Sequence, residues 1–510
     1  MTRRPYSVRA AVVLATALCS VFLGNARVAW SQSAPLDGFD AYAEKARADW
    51  GIPGLAVVVV KDDDVVLAKG YGVRTLGESA PIDARTVFAI GSATKAFTAA
   101  SLAMLVDEGR MSWDDPVAMH LGDFQLFDPY VTREITVRDL LTHRSGLDRG
   151  DALQYGSPLD RREILRRLRY QKPSWSFRSH FGYNNIMFLA AGQIVPAVTG
   201  MSWDDFVKAR IFAPLKMTSS TTSITALKHG DNVATPHTRM DGGIRPIPWR
   251  SVDNCAPAGA INSSVSDLAQ WLRLQLGRGS YGTTKLLSLG AVDEMHKPQM
   301  IVPVDPAVAL MAPGAHVVSY GFGWFLHDYH GRTIVQHGGT IDGMVAQVAM
   351  IPDERLGVAI LTNLEPNQLA AALMYRVFDA YLGLPAQDWS AQRLEVQRIV
   401  DTRKAAAARR AAQTRVQDTK PSRPLAAYVG TYRSRMYGDA KVTEEQGTLR
   451  FAYSAPYSGA LEHWHFDAFH IQRVGPGLAD ALVTFTLDTQ GNVHGMKVAD
   501  LDEFERVPTR

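Results

Sequence analysis

The sequence predicts an α+β fold: an antiparallel sheet flanked by helices, with a helical region inserted into it, and a small all-β domain at the C-terminus. Three observations predict it. Leu55 to Val60 is an apolar run, followed by Lys61-Asp62-Asp63-Asp64 and then Val65-Val66-Leu67, which reads as strand, polar turn, strand. Met344 to Met350, Pro352-Asp353-Glu354 and Leu356 to Leu361 repeat that pattern near the other end. Between the two hairpins the patterns are mostly helical, so strands from both ends share one sheet around inserted helices.

Taken in order, the chain begins with Arg3, Arg4 and Arg9, an apolar run from Ala10 to Leu23, and Ala29-Trp30-Ser31 as a cleavage site. This is the layout of a secretory signal over residues 1–31, and the run is short for a membrane span of about 20 residues. The expected location is periplasmic or secreted, with no stable membrane span once the signal is removed. A single main domain is expected over 35–384. Within it, Ala96 to Val106 has apolar residues too frequent for a surface helix, and Asp267 to Leu276 is a shorter amphipathic one. From 385 to 422 Ala, Arg, Lys and Gln dominate, as in Thr402-Arg403-Lys404-Ala405, which reads as a solvated helix or linker. From 423 to 510, segments such as Tyr428-Val429-Gly430-Thr431-Tyr432 and Leu449-Arg450-Phe451-Ala452-Tyr453 read as short strands of a small barrel-like domain.

Composition narrows the function. With 510 residues, 46% hydrophobic, 21% charged and a formal net charge of +3, the chain has an ordinary globular make-up and no basic stripe for nucleic acid. Removing the signal leaves Cys255 alone, so no intrachain disulfide is expected, and a small buried thiol is the reading for it. His463, His465 and Asp467 could start a metal site, since alternate strand residues share a face, but further ligands are not evident. No metal or cofactor is expected.

The stretch that carries chemistry is Ile90-Gly91-Ser92-Ala93-Thr94-Lys95. A serine and a lysine three apart at the head of a helix lie on one face, near its positive end. A serine hydroxyl needs a base, and a lysine becomes one when burial favours its neutral form. Ala96-Phe97-Thr98-Ala99-Ala100, directly after Lys95, would bury its surroundings.

Ser92-Ala93-Thr94-Lys95 resembles the first motif of the serine β-lactamases and penicillin-binding proteins, especially the class C-like branch with its esterases and D-aminopeptidases. Asp114-Asp115-Pro116-Val117, Leu140 to Leu147, Tyr183-Asn184-Asn185, Ala256-Pro257-Ala258-Gly259, Tyr320-Gly321-Phe322-Gly323-Trp324 and His337-Gly338-Gly339 match further landmarks in order. The resemblance runs from about Gly54 to Asn363, and the C-terminal segment resembles a module appended in this branch. It implies that Ser92 is acylated, Lys95 takes its proton and Tyr183 passes protons to the leaving group and from the attacking water. It also implies that Asn185 hydrogen-bonds substrate and holds Lys95, that His337, Gly338 and Gly339 lie on the strand lining the site, and that backbone N–H groups of Ser92 and Thr340 form the oxyanion hole.

One position departs from the pattern. β-Lactamases and carboxypeptidases usually carry lysine where this chain has His337, which is mostly neutral at pH 7. A weakened carboxylate clamp counts against efficient penicillin hydrolysis and matches relatives acting on esters or on D-amino-acid peptides from the amino end. The expected activity is therefore that of an exported, D-aminopeptidase-like serine hydrolase acting on a small-molecule or peptide substrate. A carboxylesterase, a β-lactamase or D-alanyl-D-alanine carboxypeptidase, and a catalytically silent penicillin-binding sensor stay open. Gly-x-Ser-x-Gly, the elbow of another hydrolase fold, is absent at Ser145, so Thr142-His143-Arg144-Ser145-Gly146 reads as a structural turn.

Overall fold

A computed structural model describes residues 35–508 apart from 229, 241 and 472–479. The signal-like segment lies outside the described residues. The central sheet has eight strands: β1 (Gly54–Lys61), β2 (Asp64–Gly72), β3 (Met300–Ile301), β4 (Val318–Tyr320), β5 (Phe325–Tyr329), β6 (Arg332–Ile341), β7 (Met344–Ile351) and β8 (Leu356–Thr362). Their order is β2-β1-β8-β7-β6-β5-β4-β3, antiparallel throughout. The N-terminal and C-terminal hairpins meet where β1 pairs with β8, Leu55 opposite Thr362 and Lys61 opposite Leu356.

The sheet is covered on both faces, which explains why β1 is continuously apolar rather than alternating. Leu55, Val57 and Val59 join a core with α1 (Phe39–Asp49) and α5 (Leu369–Leu382). Ala56, Val58 and Val60 face the larger core with α2 (Thr94–Asp107), α3 (Asn185–Thr199) and α4 (Val265–Leu276). Every residue of α2 from Thr94 to Leu105 is buried, as its all-round apolar sequence requires. Strand β2 lies at the sheet edge and leaves Val65 and Val66 exposed. Among the described residues no single helix is long and apolar enough to cross a membrane.

The basic segment forms α6 (Trp389–Gln413), anchored at its start where Trp389 donates Nε1–H to Asp379 at 2.6 Å and solvated along most of its length. The C-terminal strands close an antiparallel eight-stranded barrel: β9 (Gly430–Ser434), β10 (Gly438–Glu445), β11 (Thr448–Ala452), β12 (Ser458–His465), β13 (Ala468–Ile471), β14 (Ala481–Leu487), β15 (Val493–Val498) and β16 (Asp502–Arg506). Its pairing slips by one residue between His463 and His465. That slip breaks the alternation on which the expected shared face depends. Asp467 instead accepts from the Ser422 hydroxyl at 2.7 Å and from the Tyr428 hydroxyl.

The barrel packs against the inserted helical region. Tyr453 donates its hydroxyl to Ala152 O at 3.2 Å, Arg167 Nη1 donates to Met436 O at 3.4 Å, and the Arg435 guanidinium lies 4.5 Å from the Tyr170 ring centroid. Barrel residues such as Met436, Tyr437 and Tyr457 belong to the same core as Ala152 and Leu153.

Candidate active site

Ser92 sits on a single 3₁₀ turn, Gly91–Ala93, that runs into α2 at Thr94. Two glycines let this turn press against β6. Gly91 has φ +50°, and a Cβ there would lie 2.8 Å from Thr340 N. A Cβ on Gly339 would lie 1.8 Å from Ile90 O and 2.9 Å from Ser92 N. No side chain fits either gap, so the Gly91-Ser92 and Gly339-Thr340 backbones meet directly.

One turn into the helix, Lys95 is fully buried. Its Nζ lies 3.1 Å from Ser92 Oγ, 2.7 Å from Asn185 Oδ1 and 2.9 Å from Ala258 O. The protonated amine donates to all three. The neutral amine donates to Asn185 and Ala258, whose oxygens only accept, and turns its lone pair to the Ser92 hydroxyl. Burial pulls the Lys95 pKa down from 10.5 to about 7, with the Arg149 charge adding to the fall and Cys255 and Asp151 opposing it.

Tyr183 completes the floor. Its ring centroid is 4.8 Å from Lys95 Nζ, and burial holds its hydroxyl protonated well above the usual tyrosine range, with Ser92 opposing that rise. The segment read as a structural turn sets its place. His143, buried at φ +55°, packs its ring 4.2 Å from that of Tyr183. His143 O accepts from Gly182 N at 2.8 Å and its Nδ1 from Asn184 N at 3.1 Å. Asn184 caps α3 by accepting from Met187 N, which puts Asn185 in the first turn facing Lys95.

His337 is 2% exposed and is not among the residues that line the open cleft. Its Nδ1 lies 2.6 Å from Gly338 O, a pure acceptor, so Nδ1 carries the proton and Nε2 accepts from the Tyr320 hydroxyl at 3.0 Å. Burial, with Lys95 nearby, lowers its pKa to about 3. The ring is thus neutral, as its type predicts, and lies on the same face of β6 as Gly339, beneath the cleft, with its centroid 6.4 Å from that of the Tyr183 ring.

The cleft above this floor has a volume of about 340 Å³. Ser92, Asn185 and Thr340 line it, and so do Arg149, Asp151, Tyr155, Asp342, Glu365 and Tyr457, none singled out by the sequence. Asp151 joins rim to floor. Its Oδ2 accepts from Arg149 Nε at 2.5 Å and its Oδ1 from Asn185 Nδ2 at 3.1 Å. The Arg149 guanidinium lies 5.1 Å from the Tyr183 ring centroid. Asp342 accepts from the Tyr155 hydroxyl and from Arg250 Nε. A signal for the first pair was present: Asp148-Arg149-Gly150-Asp151 directly follows the landmark ending at Leu147. Cys255 also lines the cleft, but burial pushes its thiol up to about 12 and its Sγ is spent on Asn185 O at 3.7 Å.

Comparison with known proteins places this geometry. The β-lactamase family matches residues 39–382, and a domain of unknown function, DUF3471, matches 414–507. Unguisins hydrolase ungD of Aspergillus violaceofuscus is 30% identical over 438 residues, which cover 80% of this chain and 76% of that one. The octameric penicillin-binding protein homologue of Pyrococcus abyssi superposes with a TM-score of 0.61 at 21% identity, over 92% of this chain and 99% of that chain. The D-amino acid amidase of Ochrobactrum anthropi SV3, in complex with L-phenylalanine, does so at 0.57 and 22% identity, over 69% and 99%. With its fold, its hydrolase relative and two thirds of its length matched, the chain belongs to the β-lactamase family.

Proposed function

We propose that the protein is an exported serine hydrolase that forms an acyl-enzyme on Ser92 and cleaves amide or ester bonds, with D-aminopeptidase-like peptide or amide hydrolysis as its main activity. The observation that carries this reading is the buried Lys95 amine 3.1 Å from the Ser92 hydroxyl, with its remaining hydrogens committed to Asn185 and Ala258. Neutral Lys95 accepts the Ser92 proton as Oγ attacks the substrate carbonyl. The carbonyl oxygen takes up the negative charge, facing the N–H groups of Ser92 and Thr340, whose backbones the two glycines bring together. Tyr183, kept protonated by burial beside Lys95, gives its proton to the departing amine or alkoxide and recovers one from Lys95. The ester left on Ser92 is hydrolysed by water, whose proton returns through the same two groups while the second product leaves with a free carboxyl.

The test is chemical labelling. Intact-mass measurement after treatment with a fluorophosphonate should show one adduct on wild type and none on Ser92→Ala. Peptide mapping should place that adduct on Ser92. An adduct at another serine would remove Ser92 from its role. Export is proposed on the signal-like segment alone.

A further inference from the structure

The cleft carries one carboxylate more than its neighbouring cations can neutralise. Asp151, Asp342 and Glu365 all line it. Arg149 holds Asp151, and Arg250 holds Asp342. Lys95 supplies no lasting charge, because burial moves it toward its neutral form and its three neighbours occupy it. The Glu365 carboxylate has a single described hydrogen bond, from Gly343 N to Oε2 at 3.5 Å, and no described cation forms an ion pair with it. Burial and the charge of Asp342 raise its pKa, which is the mark of a carboxylate lacking a cation.

Its place along the cleft fixes what such a cation could be. Strand β6 carries Gly339-Thr340 beside Ser92 and ends at Ile341, and the turn after it brings Asp342 and Gly343 beside Glu365. Three residues span at most about 10 Å even when fully extended, and the Glu365 carboxylate lies at the far end of that span, against Gly343 N. A positive group bound there sits one or two residues from the carbonyl under attack by Ser92. That is where the α-ammonium of an aminoacyl or dipeptidyl substrate falls.

We infer that Glu365 receives the substrate's free amino terminus, so that the site takes amides and short peptides with an unblocked amine on the acyl side of the scissile bond. The inference rests on Ser92 being the acylated nucleophile. Glu365 is a specificity residue: it pairs with a part of the substrate that does not react. An N-acetylated substrate brings no charge and leaves the carboxylate unpaired, and burying such a group is unfavourable.

The experiment compares D- and L-alanyl p-nitroanilides with their N-acetyl forms in wild type, Glu365→Gln and Glu365→Asp. It scores kcat/KM and, independently of turnover, protection of Ser92 from fluorophosphonate. Wild type should favour the free amine at least tenfold by both readouts. Glu365→Gln should cut that ratio at least tenfold, and Glu365→Asp, which keeps the charge on a shorter arm, should retain part of it. An equal ratio in wild type and Glu365→Gln, with Ser92 labelled normally in both, overturns the inference alone. A wild-type preference for the N-acetyl forms does the same. Absence of labelling at Ser92 in wild type overturns the inference together with the nucleophile it rests on.

Discussion

The floor and the rim of the catalytic cleft handle charge in opposite ways. At the floor, Lys95 and Tyr183 are removed from water, and burial drives each toward its neutral form, the lysine to about 7 and the tyrosine well above its usual value. At the rim, Arg149 is held beside Asp151 and Arg250 beside Asp342, and both guanidiniums have their pKa raised above the ordinary value. Desolvation without a counter-ion shifts a group between protonation states, whereas pairing fixes its state. A proton shuttle needs the first arrangement and a steering surface needs the second. The two are coupled where Asp151 binds both Arg149 and the Asn185 that holds Lys95, and where the Arg149 guanidinium lies 5.1 Å from the Tyr183 ring centroid.

The comparison breaks most sharply at Lys95. Lys95→Arg keeps the side-chain charge but puts a group there that stays protonated, since a guanidinium has a pKa above about 12. If neutrality is what the floor supplies, the variant should lose about 10³-fold in kcat/KM on a neutral ester, within the range for removing a general base. Measured rates within tenfold of wild type would mean that Lys95 serves by charge, and the distinction between floor and rim would collapse.

The pH profile sharpens the same contrast. The reactive form has Lys95 neutral, so kcat/KM should fall tenfold per unit as pH drops below about 7 and level off above it. Tyr183 titrates far higher, so no descending limb is expected from it below about pH 10. Neither His337, held at about 3, nor the thiol of Cys255, near 12, should add an inflection between 5 and 9. Stopped assays with the ester in overlapping buffers decide it; a flat profile from pH 5 to 9 refutes a titrating Lys95.

The same division explains what the sequence made legible. Ser92 and Lys95 stand in one short motif because a serine and a lysine three apart at a helix start meet at 3.1 Å, and Tyr183 and Asn185 stand in a second, which carries Asn185 to 2.7 Å from Lys95. The two hairpins were equally plain, since β1, β7 and β8 are buried, mostly apolar strands. The rim was not legible. Asp342, Arg250 and Glu365 come from three distant segments, and their meeting is a product of the tertiary fold. His337 shows a subtler gap: its neutrality follows from residue type, but its turn toward Tyr320 depends on a partner in β4. His143 reads as part of a turn and is one, yet its ring also backs Tyr183, which spacing alone does not reveal.

The barrel supplies the smallest expected effect. The motifs end before α6, and on sequence alone the C-terminal module is dispensable for the chemistry. The structure brings Tyr457 of that module into the cleft wall, 6% exposed, with its ring edge-on to Tyr155 at 6.4 Å between centroids. Tyr155 in turn donates to Asp342. Tyr457 also lines the neighbouring cavity between the inserted helices and the barrel, next to Arg149 and Asp151, so it stands as a partition between the two spaces. Deleting the whole barrel would strip partners from Ala152 and Leu153, which share its core, and would confound folding with function. Tyr457→Ala is the cleaner probe. It opens the partition without touching Ser92, Lys95 or Tyr183. Acylation by a small fluorophosphonate should change less than about twofold, while KM for a tripeptide anilide should rise about three- to tenfold through lost contact area, in line with one buried aromatic contact. A drop of kcat by 100-fold with KM unchanged would show the opposite, that the module completes the reacting site, and the line between floor and rim would then have to be drawn through the barrel itself.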